Sequence, residues 1–387
     1  MITVFSICRR AIFLGALIAA AIFCTVPVSQ AATLYYWDSN GSSAGAGSQP
    51  NGTWGEDAYW NVVREGTGST VGWTADDHAV FAAGTDATTP YTVTVSGTQF
   101  IGDMHFDYGA VTLDGGTLAL NDGQRIFSAF EGVTGTINTV LTSKNPGGVT
   151  TLIKYKPGTL IFGGANTYSG STMIEGGIIQ LAAADRIPNG SKLILGNGDT
   201  RPFPDGYIDT PATFHTGGFS ETLGALKLTG PNPTIARTID FGDGASAVVF
   251  ADSSAEDWEG IPLTIVNYTS GVDSLRFGNS NTGLTSTQLA SIVFVDFGGS
   301  SGTIDANGFV TPAGPSITDV TGVGTSNTVI TWTAIDSRTY RVQYKGNFNE
   351  GFWTDVSPDV FAVGTTASTT DDTSVGDERY YRVVLLP

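Results

Sequence analysis

Short runs of alternating apolar and polar residues, each cut off by a turn rich in Gly, Asp or Asn, fill the chain from Ala79 to Phe250. Tyr91-Thr-Val-Thr-Val95, Ala110-Val-Thr-Leu113 and Gly116-Thr-Leu-Ala-Leu120 place apolar side chains at every second position. That is the period of a strand with one buried face. Residues 80–81, 149–153, 158–162, 172–174, 178–181, 193–195, 223–228 and 247–250 read the same way. No stretch of ten or more residues there holds a 3.6-residue period, and the one helical hint is Ser286–Ser291, around Gln288 and Leu289. The chain is therefore expected to be almost entirely β.

Two of these runs share a form. Asp114-Gly-Gly-Thr-Leu-Ala-Leu120 and Glu175-Gly-Gly-Ile-Ile-Gln-Leu181 both read acid-Gly-Gly-x-apolar-x-Leu. The separation between Asp114 and Glu175 predicts about three coils of roughly twenty residues each in a strand-based solenoid. Each coil would pair with the coil above and below, glycine would turn the corners where φ is positive, and inward Leu, Ile and Val would stack into one core. Charged residues make up only 14% of the chain, against about 25% in ordinary soluble domains, and inward stacking positions tolerate none.

The start of the chain carries a different message. Arg9 and Arg10 precede an apolar run over 11–28, and Ser29-Gln30-Ala31 follows. This is the pattern of a secretory signal peptide cut between Ala31 and Ala32, with a single membrane anchor as the alternative. Cleavage takes away two arginines and no acid, moving the formal charge from −18 to −20, and it removes both cysteines, Cys8 and Cys24. Disulfides, thiol catalysis and Cys-based zinc sites are then excluded from the exported chain, and no membrane span is expected after cleavage. With 36 acidic residues against 18 basic ones, the chain repels phosphate backbones, so nucleic acid is not an expected partner.

The run Gly158-Thr-Leu-Ile-Phe-Gly-Gly-Ala-Asn-Thr-Tyr-Ser-Gly-Ser-Thr-Met-Ile-Glu-Gly-Gly-Ile-Ile-Gln-Leu181 resembles the autotransporter-associated β-strand repeat. The resemblance implies an exported bacterial protein, secreted or held on the outer surface of a Gram-negative-type cell, whose repeats build a right-handed parallel β-helix. It implies no shared catalytic motif. The Trp-rich start and the 258–308 stretch are similar to companions of this repeat. Some members of that family end in a translocator barrel. The stretch after Pro315 is too short for a dozen membrane strands, so the chain resembles the passenger part alone.

Flanking regions complete the expected layout. Residues 33–75 spread Tyr35, Tyr36, Trp37, Trp54, Tyr59, Trp60 and Trp73 among Gly, Ser, Asn and Asp. Such a segment reads as an aromatic cap on the open end of a neighbouring fold, or as a sugar-stacking platform of Trp54, Trp60 and Trp73. Thr311-Pro-Ala-Gly-Pro315 reads as a linker. Beyond it Trp332, then Tyr340, Val342 and Tyr344 at alternate positions, then a Tyr-rich late strand look like a short fibronectin type III-like sandwich. The layout is a signal peptide over 1–31, a cap over 32–78, a parallel solenoid over 79–255, a β extension over 256–310, a linker over 311–315 and a sandwich over 316–387.

Motifs with chemistry are sparse. His78, His105 and His215 stand far apart and never in a His-Glu-x-x-His arrangement, which argues against metal ligation. Gly-x-Ser-x-Gly occurs at 41–45 and 298–302, in turns rather than at a strand-to-helix elbow. Asp76-Asp77-His78 is the densest titratable cluster and has no basic neighbour in sequence. The turns 196–199 and 242–244 could bind Ca2+ through Asx oxygens, with simple turn formation as the alternative. No other cofactor is implied.

These observations predict an exported structural or adhesive surface protein without catalytic activity, whose partners are extracellular polysaccharides or cell-surface components. Two alternatives stay open. A polysaccharide lyase or hydrolase on a β-helix would show acids and bases facing outward on successive coils. A glycan-binding module would show Trp54, Trp60 and Trp73 exposed in a row.

Overall fold

A computed structural model describes residues 32–197, 210–347, 349–373 and 378–386. The expected signal segment with Ala31, and half of the 196–199 turn, lie outside the described residues. No helix among the described residues is long and apolar enough to cross a membrane.

The chain folds into stacked parallel sheets, the ladder pattern of a β-solenoid. One sheet holds, in spatial order, Leu34–Trp37, His78–Phe81, Met104–Phe106, Gly123–Ala129, Thr150–Tyr155, Thr172–Ile174, Leu193–Leu195 and Leu226–Leu228. A second holds ten strands, from Gly52–Trp54 and Tyr91–Val95 through Ala110–Asp114, Thr134–Ile137, Thr159–Phe162 and Gly177–Leu181. It continues through Ala212–His215, Arg237–Asp240 and Leu263–Val266 to Ile292–Phe294. A third face carries Thr98–Ile101, Thr117–Leu120 and Val140–Ser143 early in the stack. Glu221–Leu223, Ala247–Phe250 and Ser274–Phe277 form the corresponding later sheet. Antiparallel strands join these sheets at the two ends, where Trp60–Asn61 adds to Leu34–Trp37 and Phe309–Pro312 adds to Ser274–Phe277.

Residue type explains the stack. The parallel strands are short and rich in Thr, Val, Ile and Leu, so alternate side chains point inward and meet the same position on the next coil. In the first sheet Ala79, Met104, Phe127, Lys154, Ile174, Leu195 and Leu228 form one such column, all fully buried. Lys154 is the exception in chemistry. Its Nζ donates to the carbonyls of Tyr155, Lys156 and Gly176 at 3.1, 2.6 and 3.0 Å, and burial pushes its ammonium down to about 7.

Corners need glycine where a side chain has no room. Gly177 has φ of 72° and a Cβ there would collide with the Gly158 carbonyl; Gly116, with φ of 45°, faces the Val95 carbonyl. These two glycines belong to the matching runs noted in the sequence, and the structure corrects their relationship. Gly116 turns from the second sheet into Thr117–Leu120 of the third face, whereas Gly177 turns from the first sheet into Gly177–Leu181 of the second. The shared form is a corner sequence, not one coil position three coils apart. Coil length is not constant either. Leu160 pairs with Ile179, and Ile179 pairs in turn with Phe214, so the second of these coils is nearly twice as long as the first.

The 158–181 run shows how a repeat fastens its neighbours. The Asn166 side-chain carbonyl accepts the buried Leu141 N–H at 2.8 Å, and its amide donates to the Arg186 carbonyl at 2.8 Å. Tyr168 fills the interior, and its hydroxyl joins Thr172 and Ser191 in a buried chain at 2.6 and 2.8 Å. Among the described residues Ser286–Ser291 forms the one α-helix. It is opened by a capping box in which the Gln288 N–H donates to the Thr285 hydroxyl and the Thr285 N–H donates back to the Gln288 side chain.

Residues 317–385 pair differently. Ile317–Thr321, Asn327–Thr333 and Thr366–Asp372 form one antiparallel sheet; Thr354–Phe361, Thr339–Lys345 and Tyr380–Leu385 form another. They enclose a separate small core of Ile330, Trp332, Tyr340, Val342, Val356 and Ala362.

Candidate functional site

The aromatic residues near the start pack against one another. Trp37, Trp54 and Trp60 are fully buried. Ring centres of Trp54 and Trp60 lie 4.9 Å apart, and Trp73 lies 4.9 and 4.7 Å from them. Phe81 continues the cluster and stacks on Phe106 of the next coil at 5.5 Å. Trp54 and Trp60 therefore present no ring face to solvent, and Trp73 is half-buried with its indole N–H donated to the Phe100 carbonyl at 3.1 Å. A solvent-facing row would require the opposite arrangement.

Asp76-Asp77-His78 gains basic neighbours that the sequence hides. Lys144, distant in sequence, places its Nζ 2.5 Å from Asp76 and 5.3 Å above the Phe100 ring. Arg125 lies 3.8 Å from Asp103. This line of charges runs up one corner over successive coils, as a carbohydrate-active site would require. Its acids, however, are engaged in joining coils. Asp77 accepts the Thr33 N–H at 2.8 Å, Asp103 accepts the Ile126 N–H at 2.9 Å and Asp122 accepts the Asn145 side-chain amide at 2.8 Å. His78 Nδ1 accepts the Asp103 N–H at 2.7 Å. His105, on the same sheet, contacts Ser128 at 2.8 Å, and burial pushes its imidazole down to about 4, so it is neutral.

Other titratable residues serve turns. His215 accepts the Gly217 N–H at 2.8 Å, and Asp240 accepts the Gly242 N–H at 2.9 Å in the 242–244 turn. No group of three or more His, Cys, Asp or Glu able to hold a metal occurs among the described residues. Ser300, in the second Gly-x-Ser-x-Gly run, donates to the Phe297 carbonyl at 2.7 Å, within a turn. Burial pushes the Glu221 carboxyl up to about 8, against the pull of the Arg186 N–H at 2.9 Å. Burial also lifts Asp107 to about 6, eased by Arg64 at 3.7 Å.

The outer face of the ten-stranded sheet is the feature that reading along the chain misses, because it appears only once strands are placed in register. One outward column runs Thr92, Thr112, Thr136, Ile161, Gln180, His215, Asp240. The adjacent column, two positions earlier on each strand, runs Ala110, Thr134, Thr159, Ile178, Thr213, Thr238, Thr264. Eight of these fourteen positions are Thr, none is Lys or Arg, and Asp240 is the one carboxylate. From Thr112 and Thr134 onward every one of them is half-buried, flanked by its neighbours in the column. Each Thr offers a methyl and a hydroxyl group, and from Tyr91–Val95 to Leu263–Val266 only the Gly177–Leu181 rung carries none in these columns.

A family model for the passenger-associated-transport-repeat matches residues 152–181, overlapping the resemblance noted at 158–181. The chain is also similar to the Adhesin BmaC autotransporter of Brucella suis biovar 1 (strain 1330), 33% identical over 152 residues, which is 39% of this chain. It spans about 4% of that relative's length. No solved structure matches.

Proposed function

We propose that this autotransporter passenger-like repeat protein acts as an adhesive module on the outer surface of a Gram-negative-type cell or in its surroundings. The observation that carries this reading is the repeat at 152–181 on a stack of parallel rungs with a broad, nearly uncharged flank. A regular flank favours many weak, hydrated contacts over one deep pocket. The similar adhesin supports the same reading. On this reading the stack winds right-handed, the Trp37–Trp54–Trp60 cluster shields its first coil, and cleavage between Ala31 and Ala32 releases the mature chain. The antiparallel module over 317–385 is then a fibronectin type III-like spacer or display unit. A catalytic role is not part of it, since the acids at the charged corner are spent on neighbouring coils. Extracellular polysaccharide or cell-surface material is the expected partner, with no nucleic acid and no obligatory cofactor. The test is a binding screen of the mature chain against polysaccharides and bacterial cell surfaces, run beside an assay for released sugars. Retention without product supports the reading; turnover that one carboxylate substitution abolishes refutes it.

A further inference from the structure

Resting on that adhesive reading, we infer that the outer face of the ten-stranded sheet is the contact surface and that it takes an extended, uncharged polysaccharide lying along the stack. Successive rungs repeat about every 4.7–4.9 Å, and outward residues on one strand stand about 6.6 Å apart. The face is thus a lattice, and a lattice is matched by a ligand that is itself periodic. A glycan chain running up the columns meets at least one Thr on six of the seven rungs from Ala110–Asp114 to Leu263–Val266, and a Thr pair at Thr134 and Thr136.

Threonine suits that task. Its χ1 is stiff beside neighbouring strands, so fixing its hydroxyl on a ligand costs little further entropy. Each hydroxyl both donates and accepts, which matches a sugar hydroxyl, while the methyl group covers the apolar C–H face of the ring. Single contacts of this kind are weak, and repetition along one ligand raises the overall affinity steeply.

Charge selects among polysaccharides. Neither column carries Lys or Arg, and the whole chain has a formal charge of −18. A uronic-acid or sulfated chain would meet repulsion with no compensating cation; a neutral chain meets neither. The charged corner at Asp76, Asp103 and Lys144 is less suited, because its groups already pair with each other across coils.

The experiment measures binding of the mature full chain to a soluble neutral β-glucan and to alginate at moderate salt. It compares wild type with Thr112→Glu/Thr136→Glu/Thr159→Glu on the proposed face and with Thr98→Glu/Thr117→Glu on the third face. Circular dichroism confirms that each variant is folded. The inference expects β-glucan binding that strengthens with glycan length, at least about a tenfold loss in the triple variant, under about a twofold change in the control variant, and no alginate binding. Full binding by the folded triple variant, or a preference for alginate, overturns the assignment of face and ligand while leaving an adhesive role intact. A wild-type dimer that the triple variant dissociates makes the face a contact between copies and equally overturns it. Failure of wild type to bind any glycan or cell surface brings down the adhesive reading itself.

Discussion

Replacing Asn166 by Ala isolates the contribution of a single repeat side chain. Asn166 sits between two neighbouring coils, holding the Leu141 N–H on one side and the Arg186 carbonyl on the other, both at 2.8 Å. Removing it strands a buried N–H outright and leaves a carbonyl that water reaches in part. A stranded buried group costs about 1–3 kcal/mol, so the expected loss is about 2–4 kcal/mol for the pair, with the exposed carbonyl at the low end. Asn166→Asp keeps the acceptor but sets a second oxygen against the Arg186 carbonyl and buries a carboxylate, so it is expected to cost no less than the alanine change. Because each coil leans mainly on its neighbours, the damage should be local. Urea unfolding followed by circular dichroism measures the total. Amide exchange resolves the place, with Leu141 accelerated far more than Val93 or Ile265. A loss under about 0.5 kcal/mol, or unchanged exchange at Leu141, would refute the view that this asparagine pins the coils together.

Other substitutions test other parts. Trp60→Ala, in the fully buried aromatic cluster, should cost about 3–5 kcal/mol, read as a lowered urea midpoint for the parallel stack. Trp332→Ala should cost a similar amount within the separate small core, and exchange should show 317–385 opening while the stack stays protected. Glu221→Gln tests a pH dependence. The carboxyl shifts from 4.5 unfolded to about 8 folded, so the folded chain holds a proton that the unfolded chain releases. Its contribution is complete below about pH 4.5 and is lost as pH rises through about 8. Stability measured from about pH 5 to 8 should fall in wild type and fall less in the variant; equal slopes would exclude Glu221 as the source.

Much of the fold was legible because strand period and turn composition act locally. Tyr91–Val95, Thr172–Ile174, Leu193–Leu195 and Ala247–Phe250 form where the alternation places them, and Ser286–Ser291 turns helical where the hint stands. The run 223–228 breaks at Gly224 and Ala225 into two strands on different sheets, because a glycine corner can sit inside an unbroken apolar pattern. Which corner a glycine pair turns was hidden, as the different places of Gly116 and Gly177 show. Both sequences satisfy the same local rule, and only pairing with other coils tells them apart. The candidate surface was less legible still. Thr112, Thr136, Ile161 and Gln180 share a column although they follow one another at 24, 25 and 19 residues, so no fixed period along the chain reveals it. The contact of Lys144 with Asp76 was hidden for the same reason.

Those unequal coils have a consequence for how such a chain changes over generations. The long detour from Ile179 to Phe214 rejoins the ladder in the same alignment as the short one from Leu160 to Ile179, so insertions or deletions at a bend leave the flat side undisturbed. Length can therefore change freely at the bends, while the ten-stranded face can change only one side chain at a time.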